Sequence, residues 1–545
     1  MRRINIRKIF SLTPILFGSL FALLNIFQYA GEPTLGADIV SRVLPAIAHR
    51  IGLGMPYVNY WEITPPGHYI VLDIWAQFFG FTGLSIKILH IVTSFGIVLL
   101  VYYVLGRFLK GFYLVTTSSA VYLFLFSTRL TTFILPAEIL GLLFSLAGLA
   151  SLFYFLDYKK ALLISSFLFL FSGQVKDPYL FSSLSLIPYI LFLSLRGPGK
   201  FFTGVLYSLL GILLGIFLNI FYLWLLGSLT EYFTVLSYKS KAFEVFDVGW
   251  LFEKFFIHLG LAKDVFFYIP YPVLLPLLVY LVIKIYSKTK DKSIVLRVLR
   301  KSKSIFIKGD FLWKLGHTNW WTLIFYIVGL SIGFVIQRSL GSHYYIIAVF
   351  PLVVIVGICF MGIDHELSKF SRSLFLRILL VIIFVAFLLP DKAYITGYNF
   401  NKIFDLRFLP RLMLWANANS ESPIVKRIKA ETDKNDCVSD IYGWGVGTTY
   451  LYSERRSCSR FFITSLVNQD WQREEYKRSM LINNPKAIIY KPNAGDLDHK
   501  RFEETVVNFT KMLKNCYIRD QEFETLYFPK YKDRKLLECL QSSLF

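Results

Sequence analysis

The stretch SIKILHIVTSFGIVLLVYYVLG, residues 85–106, decides the fold class. As a helix it is about 33 Å long, enough to cross the hydrocarbon core of a bilayer. Working outward, comparable apolar runs recur near 9–29, 111–128, 138–156, 161–175, 178–195, 202–227, 266–286, 318–337, 344–362 and 374–391. The chain therefore reads as a polytopic α-helical membrane protein with about eleven transmembrane helices. Its composition agrees: 545 residues are 55% hydrophobic and 18% aromatic, with a mean hydropathy of +0.53, far more apolar than a soluble protein.

A formal charge of +22 raises two explanations, a nucleic-acid partner or membrane topology. Placement of the cations favours topology and no nucleic acid. With a cytoplasmic N-terminus, basic clusters fall in alternate loops: Arg2, Arg3, Arg7 and Lys8, then Arg107 and Lys110, Lys159 and Lys160, Arg196 and Lys200, Lys369 and Arg372. The segment 284–315 is the most basic, and its loop 287–315 reads as cytoplasmic, facing anionic membrane lipids. The first apolar run is longer than a signal-peptide core and lacks a small-residue cleavage site before Gly31, so it reads as a retained signal-anchor span. An odd number of spans places the C-terminus outside. The expected location is the inner (plasma) membrane, crossed many times.

Two regions are not spans. The loop 30–84 is extracytoplasmic by this topology, and the tail 392–545 follows the membrane domain 1–391. In the tail, strand-like runs at 460–464 and 486–490 alternate with helix-like stretches at 468–482 and 501–515, which predicts a small extracytoplasmic α/β domain. Four of the five cysteines, Cys437, Cys458, Cys516 and Cys539, lie there, while Cys359 lies in a span. An even count outside the membrane permits disulfides or free thiols, and the pairing is open. Asn508-Phe509-Thr510 is a glycosylation sequon in pattern.

The first loop carries the chemistry. Ile39, Val43, Ile47 and Ile51 recur at helical spacing, with Ser41, Arg42, His49 and Arg50 opposite. They predict an interfacial helix, disturbed at Pro45, with Asp38 at its N-terminal end. Asp38 is then either an N-cap or a functional carboxylate at the water interface. After the Gly52–Pro56 turn, the run from Tyr57 to Tyr69 packs aromatic rings between prolines, and Pro65-Pro66 holds the backbone extended. Trp61 and Tyr69 suit an aromatic anchor at the interface as well as a loop over a lipid headgroup.

Asp38, the run Pro56-Tyr57 to Trp61-Glu62 and Thr64-Pro65-Pro66-Gly67 to Tyr69 together resemble the first periplasmic loop of GT-C superfamily membrane glycosyltransferases. The likeness is greatest to the bacterial branch related to protein O-mannosyltransferases and aminoarabinose transferases, of family 39 or 83 type. Pro136-Ala137-Glu138, Gly173-Gln174-Val175-Lys176, Arg338 with Ser342-His343-Tyr344-Tyr345, and Pro351 follow in the expected order, so the resemblance covers about 30–360.

The resemblance implies inverting transfer of a sugar from a polyprenyl-phosphate donor to a lipid, glycan or protein acceptor at the outer face. Asp38 would be the general base on the acceptor hydroxyl. The leaving polyprenyl phosphate is a weak base and needs fixed cations more than an acid, which implicates Lys176, Arg42, Arg338 and His343. Glu138, Glu62, Tyr57 and Tyr69 would bind sugar or acceptor, Glu138 alternatively pairing with a cation. Relatives often carry aspartate and lysine where this chain has Asn59 and Thr64, which shifts a phosphate contact to Lys176 or Arg42. The expectation includes no cofactor and no metal, since no ligand spacing stands out among the histidines. A flippase of lipid-linked saccharide would need internal repeats and midplane charges, which the sequence does not display; a polysaccharide polymerase or ligase is the alternative within the enzyme class.

Overall fold

A computed structural model of the chain describes residues 37–125, 137–243, 315–336, 346–370, 378–383, 422–441, 447–462, 467, 469–490 and 509–544. In chain order the helices before the tail are α1 (Ala37–Ile47), α2 (Pro66–Phe79), α3 (Gly83–Leu105), α4 (Gly111–Leu125), α5 (Ala137–Tyr154), α6 (Tyr158–Val175), a 3-10 segment (Asp177–Ser185), α7 (Leu186–Leu195), α8 (Pro198–Leu225), α9 (Leu229–Phe243), α10 (Leu315–Ile336) and α11 (Ile346–Phe370). The tail adds α12 (Pro423–Glu431), β1 (Cys437–Asp440), α13 (Gly447–Ser453), β2 (Arg456–Ser457), α14 (Asp470–Asn483), β3 (Ala487–Ile489), α15 (Phe509–Cys516), β4 (Tyr517–Arg519), β5 (Leu526–Pro529) and α16 (Asp533–Leu544). Two compact units result. Among the described residues the first holds 88–217, 315–336, 346–370 and 378–383, and the second holds 37–87, 218–243 and everything from 422 onward.

The first unit is helical and apolar. Among the described residues, six helical stretches are long and apolar enough to cross a membrane: Leu84–Leu105, Ala137–Tyr154, Asp177–Leu195, Pro198–Leu225, Thr318–Ile336 and Ile346–His365. These coincide with six of the expected spans. The expected span at 161–175 forms α6, which is not among the six because Lys159, Lys160 and three serines dilute its apolar character. Ser166 and Ser172 return their hydroxyls to the helix's own carbonyls, Leu162 O at 2.6 Å and Phe169 O at 2.7 Å, and so need no polar neighbour. The described part of the expected 111–128 span is α4, which has 15 residues. The expected spans at 9–29 and 266–286, and most of 374–391, lie outside the described residues.

A short connection folds α5 and α6 into an antiparallel pair; Asp157 caps α6 by accepting from the Lys159 amide at 3.0 Å. Helix α10 lies against the 3-10 segment, and only glycine permits the approach: a Cβ on Gly329 would stand 2.1 Å from the Phe181 carbonyl oxygen, and one on Gly333 2.3 Å from that of Pro178. Leu142, Leu146, Phe169, Tyr179, Tyr326, Val349 and Phe350 fill the core between these helices. Ser145 and Tyr326 satisfy each other's buried hydroxyls at 2.6 Å.

The second unit is built around a five-stranded sheet of order β2-β1-β3-β5-β4. Strand β1 runs parallel to β2 and β3, while β5 is antiparallel to β3 and β4. The expected strand at 486–490 is β3 and the helix expected at 468–482 is α14; α15 covers the end of the one expected at 501–515, whose first part lies outside the described residues. The strand expected at 460–464 does not form in its described part. Phe461 and Phe462 are buried there as apolar plugs, and the Arg460 carbonyl accepts from the Trp61 amide at 2.7 Å, so this backbone bonds to the first loop instead of a strand. Two disulfides settle the open pairing, Cys437–Cys458 and Cys516–Cys539, and Cys359 is a buried free thiol. The sequon residue Asn508 lies outside the described residues.

Helix α1 forms but ends at Ile47, two residues after Pro45, so His49, Arg50 and Ile51, expected on the helix, lie in the turn beyond it. Its apolar side is covered by protein: Val40, Val43, Leu44 and Ile47 are fully buried, and the helix packs on α2 and α13. An apolar stripe alone does not distinguish a lipid surface from a protein neighbour, and here the neighbour is protein.

Candidate functional site

In the second unit the loop after α1 closes on itself. Tyr57 takes a left-handed backbone (φ 63°), its amide donates to the Tyr60 carbonyl at 3.0 Å, and its hydroxyl donates to the Thr64 carbonyl at 2.7 Å. The Tyr60 hydroxyl reaches back to the Leu53 carbonyl at 3.2 Å. Asn59 braces the turn, since its Oδ1 accepts from the Met55 amide at 2.8 Å, and its side chain fills the place where a Cβ on Gly54 (φ 131°) would stand, 2.5 Å away. Pro66 then opens α2 at a position where no amide donor is needed.

Glu62 sits at the centre of this loop and is only 7% exposed. One carboxylate oxygen accepts from the Ile63 amide at 2.9 Å and from the Thr64 hydroxyl at 3.1 Å. Burial raises its pKa above the usual carboxylate range, and the positive charge of Arg42, with the Thr64 and backbone hydrogen bonds, opposes the rise. Thr64 therefore serves as a donor to Glu62. Arg42 lies one helical turn after Asp38 on α1, and Asp38 is the second residue of that helix, inside its first turn. Tyr57 and Tyr69 are fully buried, their rings 5.5 Å apart, with Tyr232 at 5.1 Å from Tyr57. Burial pushes both phenols well above their ordinary pKa, so they stay neutral as walls of the Glu62 environment.

Trp61 is not an exposed interfacial anchor. It is 1% exposed, ringed by Phe461, Trp471 and Tyr238 at 5.5, 5.5 and 5.9 Å. The Arg460 guanidinium lies 4.9 Å from the Trp61 ring centroid.

A further cluster, between the turn after α1 and helix α2, was not evident as a cluster in the sequence. Asp73 accepts a short charge-assisted hydrogen bond from Arg50, with His49 Nε2 at 3.5 Å and Gln77 bonded to Arg50 at 3.4 Å. Burial lowers the His49 pKa, although the Asp73 charge opposes this. Only the fold joins these residues, since His49 and Arg50 follow α1 whereas Asp73 stands within α2.

In the first unit, Glu138 and Lys176 form an ion pair at 2.8 Å, with side chains 0% and 16% exposed. The α5–α6 hairpin explains it: Glu138 lies in the first turn of α5 and Lys176 caps the end of α6, which an antiparallel pair brings to one end. Of the two roles left open for Glu138, pairing with a cation is the one seen. Arg338 and His343 lie outside the described residues. Among the described residues no group of three histidine, cysteine, aspartate or glutamate side chains is placed to hold a metal ion.

No protein-family model matches the sequence, and no curated protein matches it. Among the solved structures that resemble this chain are three membrane-protein structures. ArnT from Cupriavidus metallidurans bound to undecaprenyl phosphate shares 11% identity at a TM-score of 0.44, over 81% of this chain and 85% of that one. The oligosaccharyltransferase AglB from Archaeoglobus fulgidus, in complex with an inhibitory peptide and a dolichol-phosphate, shares 11% identity at 0.46, over 95% and 74%. A second structure of an Archaeoglobus fulgidus oligosaccharyltransferase, with zinc and sulfate, shares 11% at 0.48, over 92% and 71%.

Proposed function

We propose that the protein is a membrane glycosyltransferase that moves a sugar from a polyprenyl-phosphate carrier to an acceptor hydroxyl at the outer face of the membrane, with inversion. The observation that carries this reading is the first loop: a rigid, self-bonded turn holds the Glu62 carboxylate under the influence of Arg42, which stands on the helix whose second residue is Asp38. That loop supports the reading, because the reaction calls for groups of these kinds. A carboxylate takes the acceptor proton, a second carboxylate accepts hydrogen bonds from hydroxyls, and a fixed cation balances the departing phosphate.

In this reading Asp38 removes the proton from the acceptor hydroxyl as its oxygen attacks the anomeric carbon. The bond from that carbon to the phosphate oxygen breaks on the opposite face, and the electron pair leaves with the polyprenyl phosphate. Arg42 is the cation of the second unit assigned to that phosphate. Glu62 orients hydroxyls, and Tyr57 and Tyr69 wall the loop. In the first unit, Glu138 holds Lys176 in place, which limits the motion of that long side chain.

The test uses purified full-length protein with a panel of labelled polyprenyl-phosphate sugars and candidate lipid, glycan and protein acceptors. A product with inverted anomeric configuration is expected, and Asp38→Asn lowers kcat by about 10²- to 10⁴-fold. Unchanged turnover in Asp38→Asn removes Asp38 as the base. Lipid-linked sugar crossing vesicle membranes with no glycosidic bond formed replaces the transferase reading with a flippase.

A further inference from the structure

One arginine in the tail joins the first loop to α9 and α14. The Arg460 carbonyl accepts from the Trp61 amide at 2.7 Å, and its guanidinium lies over the Trp61 ring at 4.9 Å. The same guanidinium pairs with Glu475 on α14 through two nitrogens, at 2.6 and 2.8 Å, and with Glu231 on α9 at 2.9 Å. Two carboxylates on separate helices thus fix the fork, and its face is left for the indole. The Arg460 side chain is 19% exposed, so solvent screens these pairs less than it would at an open surface.

The segment bearing Arg460 is itself anchored. The Cys458 amide donates to the Val438 carbonyl at 3.1 Å, the Asn483 side chain donates to the Cys458 carbonyl at 2.8 Å, and the Cys437–Cys458 disulfide ties this segment to β1. Trp61 is the residue immediately before Glu62. Whatever fixes the Trp61 backbone and ring therefore fixes the start of the Glu62 peptide, and the tail's sheet does so through Arg460.

We propose that Arg460 is a positioning residue for the proposed sugar transfer: through Trp61 it holds the Glu62 loop in its working geometry, making the tail domain a required part of the transfer machinery. This rests on the function proposed above. Its own physical content, a loop held by one guanidinium, can be measured without any transfer. Small displacements of a group that orients the reacting hydroxyl lower turnover steeply, so the expected loss is in kcat more than in KM.

The test compares full-length wild type with Arg460→Gln, Arg460→Lys and Glu475→Gln, by hydrogen exchange of peptides spanning 57–62 and, as a control, those containing β3 and β5. Arg460→Gln is expected to speed exchange at 57–62 at least tenfold while β3 and β5 keep their protection, and to lower kcat about tenfold with KM within twofold. Arg460→Lys, which keeps charge and loses the fork, recovers part of both, and Glu475→Gln falls between Arg460→Gln and wild type. Unchanged exchange at 57–62 in Arg460→Gln overturns the proposal. So does equal loss of protection in loop and sheet that Arg460→Lys does not rescue, because Arg460 would then serve only the folding of the domain. If wild type transfers no sugar from any donor, the proposed function fails, while the exchange result still decides whether Arg460 holds the loop.

Discussion

Glu62 shows how one side chain is set between stability and function. Its carboxyl has a raised pKa in the folded protein because burial outweighs the help from Arg42 and Thr64. A raised acid pKa favours the fold fully below the ordinary carboxylate range, and that contribution is lost as pH rises through the folded value. Glu62→Gln keeps an oxygen that accepts from the Ile63 amide and the Thr64 hydroxyl while removing the charge. The variant should therefore melt at the same temperature as wild type or higher near pH 7.5, with the difference closing toward pH 4, and it should lose transfer. A melt series across pH checks the first part and turnover the second. Asn59 is a contrasting case, since its Oδ1 closes the turn on the Met55 amide. Asn59→Asp preserves that acceptor and should stay within about 0.5 kcal/mol of wild type, whereas Asn59→Ala should cost about 1 kcal/mol. Chemical denaturation of the three proteins separates these outcomes.

Among elements, the α5–α6 hairpin does the most specific work in the first unit. It brings Glu138 and Lys176, far apart along the two helices, to 2.8 Å at one end. Removing one partner leaves a charge with little water, so Glu138→Gln or Lys176→Met alone should destabilise the protein by about 3 kcal/mol. The double variant should recover more than half of that loss in a thermal-shift double-mutant cycle. The hairpin was legible from the sequence as two apolar runs separated by a charged connection. The pair was open, because hydropathy places a glutamate and a lysine near one membrane face without saying that they touch. Helix α1 shows the same division: its apolar spacing predicted the helix, and only the packing revealed that α2 and α13 cover that side.

At the scale of the molecule, the second unit draws on three distant parts of the chain, 37–87, 218–243 and the tail from 422. Its sheet is small, with strands of two to four residues, so cross-links matter to it. The disulfides close sequence separations of 21 and 23 residues, for which chain-entropy arguments give about 3 kcal/mol each. Replacing both cysteines of Cys437–Cys458 by serine should therefore raise exchange at β1 and in the segment before Arg460. Replacing Cys516 and Cys539 should act first on α15 and α16. Exchange mapping of the two variants distinguishes local loosening from loss of the whole domain.

The sequence by itself determined the mainly helical, apolar class, six stretches long and apolar enough to span a membrane, strand β3 and helix α14 in the tail, and the first loop as a place where Glu62, Arg42 and aromatic rings gather. These follow from hydropathy and periodicity, which are local properties of a chain. Only the tertiary structure decided that Trp61 is buried under Arg460, that Asn59 and Thr64 brace the loop, that Glu138 holds Lys176, and which cysteines pair. The physical reason is sequence separation: the Arg460–Glu231 bond joins residues 229 positions apart, and no local pattern encodes a partner at that distance.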